Sequence, residues 1–372
     1  MRFTIGRRRR ALIGVAGGVL GLLALGTGMS FAADGDAADG DTGNGEANGA
    51  AVRAVPVSTS AELTEALADA QPGDVITLAA GEYDGAFFAT RSGTEDAPIT
   101  LTGPRGAVLS NTKRACDPNV PSGRKVTYCG FGLHLNKVSR WQLTGFSVRD
   151  SAKGIVLDGS SDNVIDGVEV SNIGDEGVHF RTSSSDNILR NSSVHDTGTA
   201  QPGFGEGVYL GSAVSNWPKF GANDGAGPDR SDRNQVLDNK IGPNVAAELI
   251  DVKEGTIDGL IRGNTFDGDG MSGKNSADSW VDAKGNDYII EQNTGSFSGD
   301  GTFVDGYQTH QQTPGAGCGN TWNANTSDLG GASGFAINVT NQSKCGANPN
   351  VVSDDNTATD AGKGLSNIPV TG

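Results

Sequence analysis

The chain is poor in aromatic residues, at 6% of 372, and poor in basic ones, with 28 Lys+Arg against 44 Asp+Glu. Few aromatics beside 57 glycines suit a turn-rich β protein better than a helical one. The formal charge of −16 argues against nucleic-acid binding by bulk electrostatics. Such a chain also repels polyanions unless a bound cation or local lysines intervene. There are only four cysteines and no CxxC pair, which argues against a metal–thiolate site and suits a secreted protein with two disulfides. Cys116 and Cys129 are neighbours in sequence, as are Cys318 and Cys345, and we pair them so, although three connectivities are possible. No Ser-His-Asp order, nucleotide loop or zinc motif stands out. DGDG at 267–270 lacks the downstream glutamate of an EF-hand.

A long apolar run occurs near the N-terminus. MRFTIGRRRR followed by ALIGVAGGVLGLLALGTGM, then Ser30-Phe31-Ala32, reads as a secretory signal over residues 1–32 rather than a stable membrane anchor. The arginine run allows a twin-arginine route. Its removal takes five arginines from a chain of −16 and leaves −21. Residues 33–54, rich in Gly, Asp and Ala, form a disordered acidic linker. Residues 55–372 are then one secreted, monomeric domain. It opens on TSAELTEALADAQPGD, a short helix with Thr59 and Glu62 as a capping box, placed to close the open end of a solenoid.

The rest of the chain repeats. GLHLN, GIVLD, GVHFR, GVYLG, ELIDV, SWVDA, TFVDG and FAINV align on one apolar column: Leu135, Leu157, Phe180, Leu210, Ile250, Val281, Val304 and Ile337. Successive spacings are 22, 23, 30, 40, 31, 23 and 33 residues. The shortest is a bare coil and the longer ones carry loops. Asparagines recur at Asn191, Asn239, Asn264, Asn293 and Asn325 and read as a turn ladder. A period of about 22 residues with short strands predicts an all-β parallel β-helix solenoid. Propeller blades need about 40 residues each, and the leucine–asparagine horseshoe pattern is absent.

TSAELTEALADAQPGDVITLAAGEYDG, APITLTGPRGAVL and the coils resemble right-handed parallel β-helix polysaccharide lyases, the chondroitinase B and alginate lyase group, over about residues 56–345. That fold also carries hydrolases, epimerases and adhesins.

Side chains alternate in a strand, so the neighbours of the apolar column face outward. In the aligned register Asp251, Asp282 and Asp305 stack about 4.8 Å apart. Their repulsion calls for a cation, a raised pKa, or the lysines two residues on, Lys253 and Lys284. Tyr307 falls in that same line as a substrate contact. Glu176, His179, Arg181, Glu206 and Tyr209 extend the polar patch. Trp280, Tyr209 and Phe303 are either sugar platforms or packing under loops. His310 sits on the groove floor or is structural. Glu254, at the following turn, is solvated. Three insertions flank this face from both edges: TGTAQPGFGE, SAVSNWPKFGANDGAGPDRSDR and DGDGMSGKNSAD.

The resemblance implies a Ca²⁺-dependent β-elimination on a uronic-acid polysaccharide, with a calcium-binding Glu five positions before a catalytic Lys. Glu248 and Lys253 match that spacing. A second acidic ligand is replaced by Ala246, and the family's Arg-His-Gly is Ala283-Lys284-Gly285 here. Lys284 then stands in for the arginine, and Asp251, Asp282 and Asp305 join Glu248 as metal ligands. Alternatives are a glycoside hydrolase using stacked aspartates, with Asp282 among them, or a non-catalytic glycan-binding solenoid.

Overall fold

The computed structural model describes residues 52–118 and 128–372. The signal and nearly all of the linker lie outside that range. The first strand, Arg53–Val57, begins two residues before the expected domain start. The helix Ser60–Ala68 follows, with the Thr59–Glu62 capping box formed and Leu63 and Leu67 buried in the core. Among the described residues no helix is long and apolar enough to cross a membrane.

The strands stack into three parallel sheets of 12, 10 and 10 strands, each coil giving one strand to each sheet. Parallel in-register stacking lets each coil bury its apolar face against its neighbours, which no coil can do alone. In the sheet that runs from Phe88–Ala89 to Gly364–Ser366, one inward column is Leu133, Ile155, Val178, Val208, Ile250, Val281, Tyr307 and Ile337. A second is Leu135, Leu157, Phe180, Leu210, Val252 and Ala283.

The register departs from expectation at two places. Leu210 pairs with Val252, not Ile250, a shift of two residues that preserves which side chains point inward. The strand Asp305–Thr309 places Tyr307 inward instead of Val304. This moves Asp305 opposite Ser279 and out of the aspartate stack. Tyr307 is fully buried in the core and cannot touch substrate from there. Trp280 is fully buried too, packed on Phe266, Phe303 and Tyr307. Gly295 makes room for it, since a Cβ there would lie 2.5 Å from the indole. The packing alternative therefore holds for Trp280 and Phe303.

Both disulfides join the expected neighbours, Cys116–Cys129 and Cys318–Cys345.

Candidate functional site

On the outer face of the 10-stranded sheet that runs from Phe88–Ala89 to Gly364–Ser366, one register line reads Val156, His179, Tyr209, Asp251, Asp282, Gln308 and Asn338. Asp158 and Arg181 pair on the adjacent line, where Lys253 and Lys284 follow the paired Val252 and Ala283. His179, Arg181, Tyr209, Asp251, Lys253, Asp282, Lys284, Gln308 and Asn338 of these lines floor a groove of about 1110 Å³. The insertions wall it as expected. On one edge, Pro202–Phe204 and Lys274–Ser276 meet, with Asn275 Nδ2 donating to Gly203 O at 3.3 Å. On the other edge stands the insertion carrying Trp217–Phe220. Buried Asp229 ties that wall down, accepting from Thr182 N at 2.9 Å, Ser183 N at 2.8 Å and Ser212 Oγ at 2.6 Å. Glu254 is 1% exposed rather than solvated, and its Oε1 accepts from Val214 N at 2.5 Å.

Three carboxylates converge at the centre. Ligand oxygens of Glu206, Glu248 and Asp251 all lie within 4.8 Å of one another, and all three residues are buried. Burial and then the neighbouring negative charges push Glu206 well above the usual carboxylate range and Glu248 up to about 7. Glu206 Oε2 is buried with no hydrogen-bond partner.

Beside them lies a chain of alternating charges. Lys253 Nζ contacts Asp251, and Lys284 Nζ bridges Asp251 Oδ1 at 2.7 Å and Asp282 Oδ2 at 2.6 Å. His310 Nδ1 sits 3.0 Å from both Asp282 oxygens. Burial alone lowers both lysines, but Asp251, and Asp282 for Lys284, outweigh it and raise both above the normal lysine value. In the free groove both are ammonium ions. Lys253 Nζ also lies 5.0 Å from the centroid of the Tyr209 ring. Burial, then Asp251 and Glu206, push the Tyr209 phenol well above its usual value, so it keeps its proton.

At one end, Glu176 contacts Lys153, and its Oε1 lies 3.5 Å from His179 Nδ1. His179 Nε2 is 2.9 Å from Gly211 O, which assigns the proton to Nε2, and burial depresses the imidazole's pKa. Arg181 is 4% exposed and grips Asp158 through Nε at 2.7 Å and Nη2 at 3.0 Å. Its guanidinium ties the floor together through Asp158 while still lining the groove. At the other end Asp305 accepts from Gln308 Nε2 and Asn338 Nδ2, both at 2.9 Å. It orders amides there and is not part of the carboxylate cluster.

The structure thus brings together Glu206, Glu248, Asp251, Asp282, Lys253, Lys284, Tyr209 and His310, with Glu176 and His179 at one end. It buries Trp280 and Tyr307 in the core and leaves Asp305 in the groove lining but outside the carboxylate cluster. Glu206 joins the candidate cation ligands, whereas the sequence pattern makes it a substrate contact. Phe204, Glu254, Asp278 and Gln308 also line the groove, and the sequence pattern does not single them out for that role. Phe204 carries a visible signal, an aromatic in the insertion just ahead of Glu206.

The family model for the right handed beta helix region matches residues 131–298. An alginate lyase from Paenibacillus sp. superposes with a TM-score of 0.74 at 37% identity, covering 86% of this chain and 99% of that one. A pectate lyase superposes at 0.55 with 15% identity, covering 87% of this chain and 82% of its own. A lacto-N-biosidase from Eubacterium ramulus gives 0.55 at 10% identity, covering 84% and 61%. The last two share the fold. Among curated proteins no sequence matches.

Proposed function

Because the chain belongs to the right-handed parallel β-helix family that includes the Paenibacillus alginate lyase, we propose that it is a secreted polysaccharide lyase acting on a uronic-acid glycan, with alginate the first substrate to test. The observation that carries this reading is the placement of Lys253 against Tyr209 and Asp251 on the groove floor. β-Elimination needs a base for the proton beside the uronate carboxylate and an acid for the leaving oxygen. Lys253, as the free amine, takes the C5 proton. The C4–O bond breaks, C4=C5 forms, and the Tyr209 phenol protonates the departing oxygen. Proton return from the ammonium to the phenolate resets the pair. Lys284 and His310 face the substrate's charge from the adjoining coils.

Glu206, Glu248 and Asp251 are the residues that would hold Ca²⁺, since hard oxygen donors, one of them buried without a partner, suit that cation. Bound there, it would neutralise the substrate carboxylate and engage Asp251, weakening the field that keeps Lys253 protonated. This also answers how a groove with so many acids admits a polyanion. We read residues 1–32 as the cleaved signal, 33–54 as linker and 55–372 as one monomeric domain. The two disulfides fit an oxidising compartment.

A hydrolase reading draws on Glu206, whose raised pKa suits a general acid. The stacked aspartates favour it less, because Asp251 and Asp282 are engaged by Lys253, Lys284 and His310. The test is ultraviolet absorbance of the unsaturated product on alginate, with and without chelator. Wild type generates it, and Lys253→Ala lowers the rate by roughly 10²–10⁴-fold, the usual worth of a general base. New reducing ends without absorbance, or unchanged activity in Lys253→Ala, overturns the assignment.

A further inference from the structure

Phe204 is 55% exposed, and among the described residues every other aromatic is buried or half-buried. The loop beneath Phe204 is not loose. Thr197 Oγ1 donates to Gly205 O at 2.6 Å, and Gln201 Nε2 donates to Asp175 Oδ1 at 2.8 Å. Gly205 packs so tightly that a Cβ there would lie 2.4 Å from Gly198 Cα. The scaffold is fixed and the ring is presented.

Across the same coil, Val214 is 39% exposed and is held by Glu254 through its backbone N–H. Phe204 and Val214 both line the groove, one on each wall. The strand between the walls, Val208–Leu210, has three residues and rises about 10 Å. At this level the groove has two apolar lips above a charged floor of Tyr209, Asp251 and Lys253. A pyranose has matching chemistry, with apolar C–H faces and a polar rim.

We propose that Phe204 is the sugar-ring platform of this groove, with Val214 as the opposing lip. A uronate ring enters between them with a C–H face on Phe204 and its carboxylate edge toward Lys253 and Lys284. The uronate identity of the ring rests on the lyase reading; the platform itself does not. Phe204 is a positioning residue and touches no proton that moves.

The test separates binding from turnover. On alginate, Phe204→Ala raises KM roughly tenfold, the loss of about one aromatic contact, while kcat stays within about twofold. Phe204→Trp restores KM. In a Phe204→Trp, Lys253→Ala chain, alginate changes the indole fluorescence relative to the Lys253→Ala parent. Cleavage by Phe204→Ala with unchanged KM overturns the platform and leaves the lyase reading standing. If wild type cleaves no uronate polymer yet the new indole still reports alginate binding, the lyase reading fails and the platform stands.

Discussion

Asp305 and Glu206 show how a single residue's role turns on its neighbours. In sequence, Asp305 lines up with Asp251 and Asp282 as a third rung. In the fold it faces Ser279, and its two oxygens are taken by Phe335 N, Gln308 and Asn338. Glu206 precedes its strand and in sequence reads as a substrate contact of the polar patch. In the fold it is 3% exposed, crowded by two carboxylates and short of a partner. We therefore expect added Ca²⁺ to raise the melting temperature of wild type and Asp305→Asn by similar amounts. The gain is about 2.7 kcal/mol at a hundredfold excess over Kd. Glu206→Gln should lose most of that gain. A calcium response lost in Asp305→Asn and kept in Glu206→Gln would reverse the assignment.

From Asn239 to Asn356 each coil turns on an asparagine whose side-chain carbonyl accepts from the coil before it, and these amides form an unbroken column. Asn264 donates its backbone N–H and Nδ2 to Asn293 Oδ1, both at 2.9 Å, and Asn293 donates to Asn325 in turn. The repeat was legible in the sequence. Its first rung was not: Ser192, not Asn191, donates to Asn239 Oδ1. Asn191 is exposed and bonds Asp166 instead. A second buried ladder, Asn163–Asn187–Asn234, is carried by the asparagines just ahead of the strands Val164–Asp166, Ile188–Arg190 and Gln235–Leu237, outside the column read from the sequence. Removing the buried rung Asn293 orphans two donors on the preceding coil, Asn264 N and Nδ2, at about 1–3 kcal/mol each. Asn293→Ala should cost roughly 2–4 kcal/mol in denaturant unfolding, and Asn191→Ala no more than about 0.5 kcal/mol, as for ordinary surface sites. Equal costs would contradict the register.

The whole molecule carries an ionic tie between coils and the disulfide segment. His134 sits between Asp117, at 3.0 Å, and Asp158, at 2.9 Å, and Arg181 holds Asp158 from the next coil. Burial lowers the His134 pKa, but the two carboxylates outweigh it and raise it above 6.5. Burial would raise Asp158, yet Arg181 and His134 hold it far below 3.8. The His134 contribution is thus complete below pH 6.5 and is lost as pH rises through the higher folded value. The Asp158 contribution is present above pH 3.8 and is lost only in stronger acid. The stability advantage of wild type over His134→Gln should shrink as pH rises above 6.5 in denaturant titrations. An advantage that grows over that range would refute the tie. By itself the sequence determined the coil, the capping helix, the insertions that wall the groove and the outward direction of Asp251 and Lys253. All of these follow from local pattern, because a solenoid's contacts are between neighbours. Only the tertiary structure decided which carboxylates meet, which aromatics are buried and which acid is left without a partner. A shift of two residues at Val252 and of three at Tyr307 each keep an apolar residue in the inward column while changing lateral neighbours on the groove floor, and the second takes Asp305 out of line with Asp282.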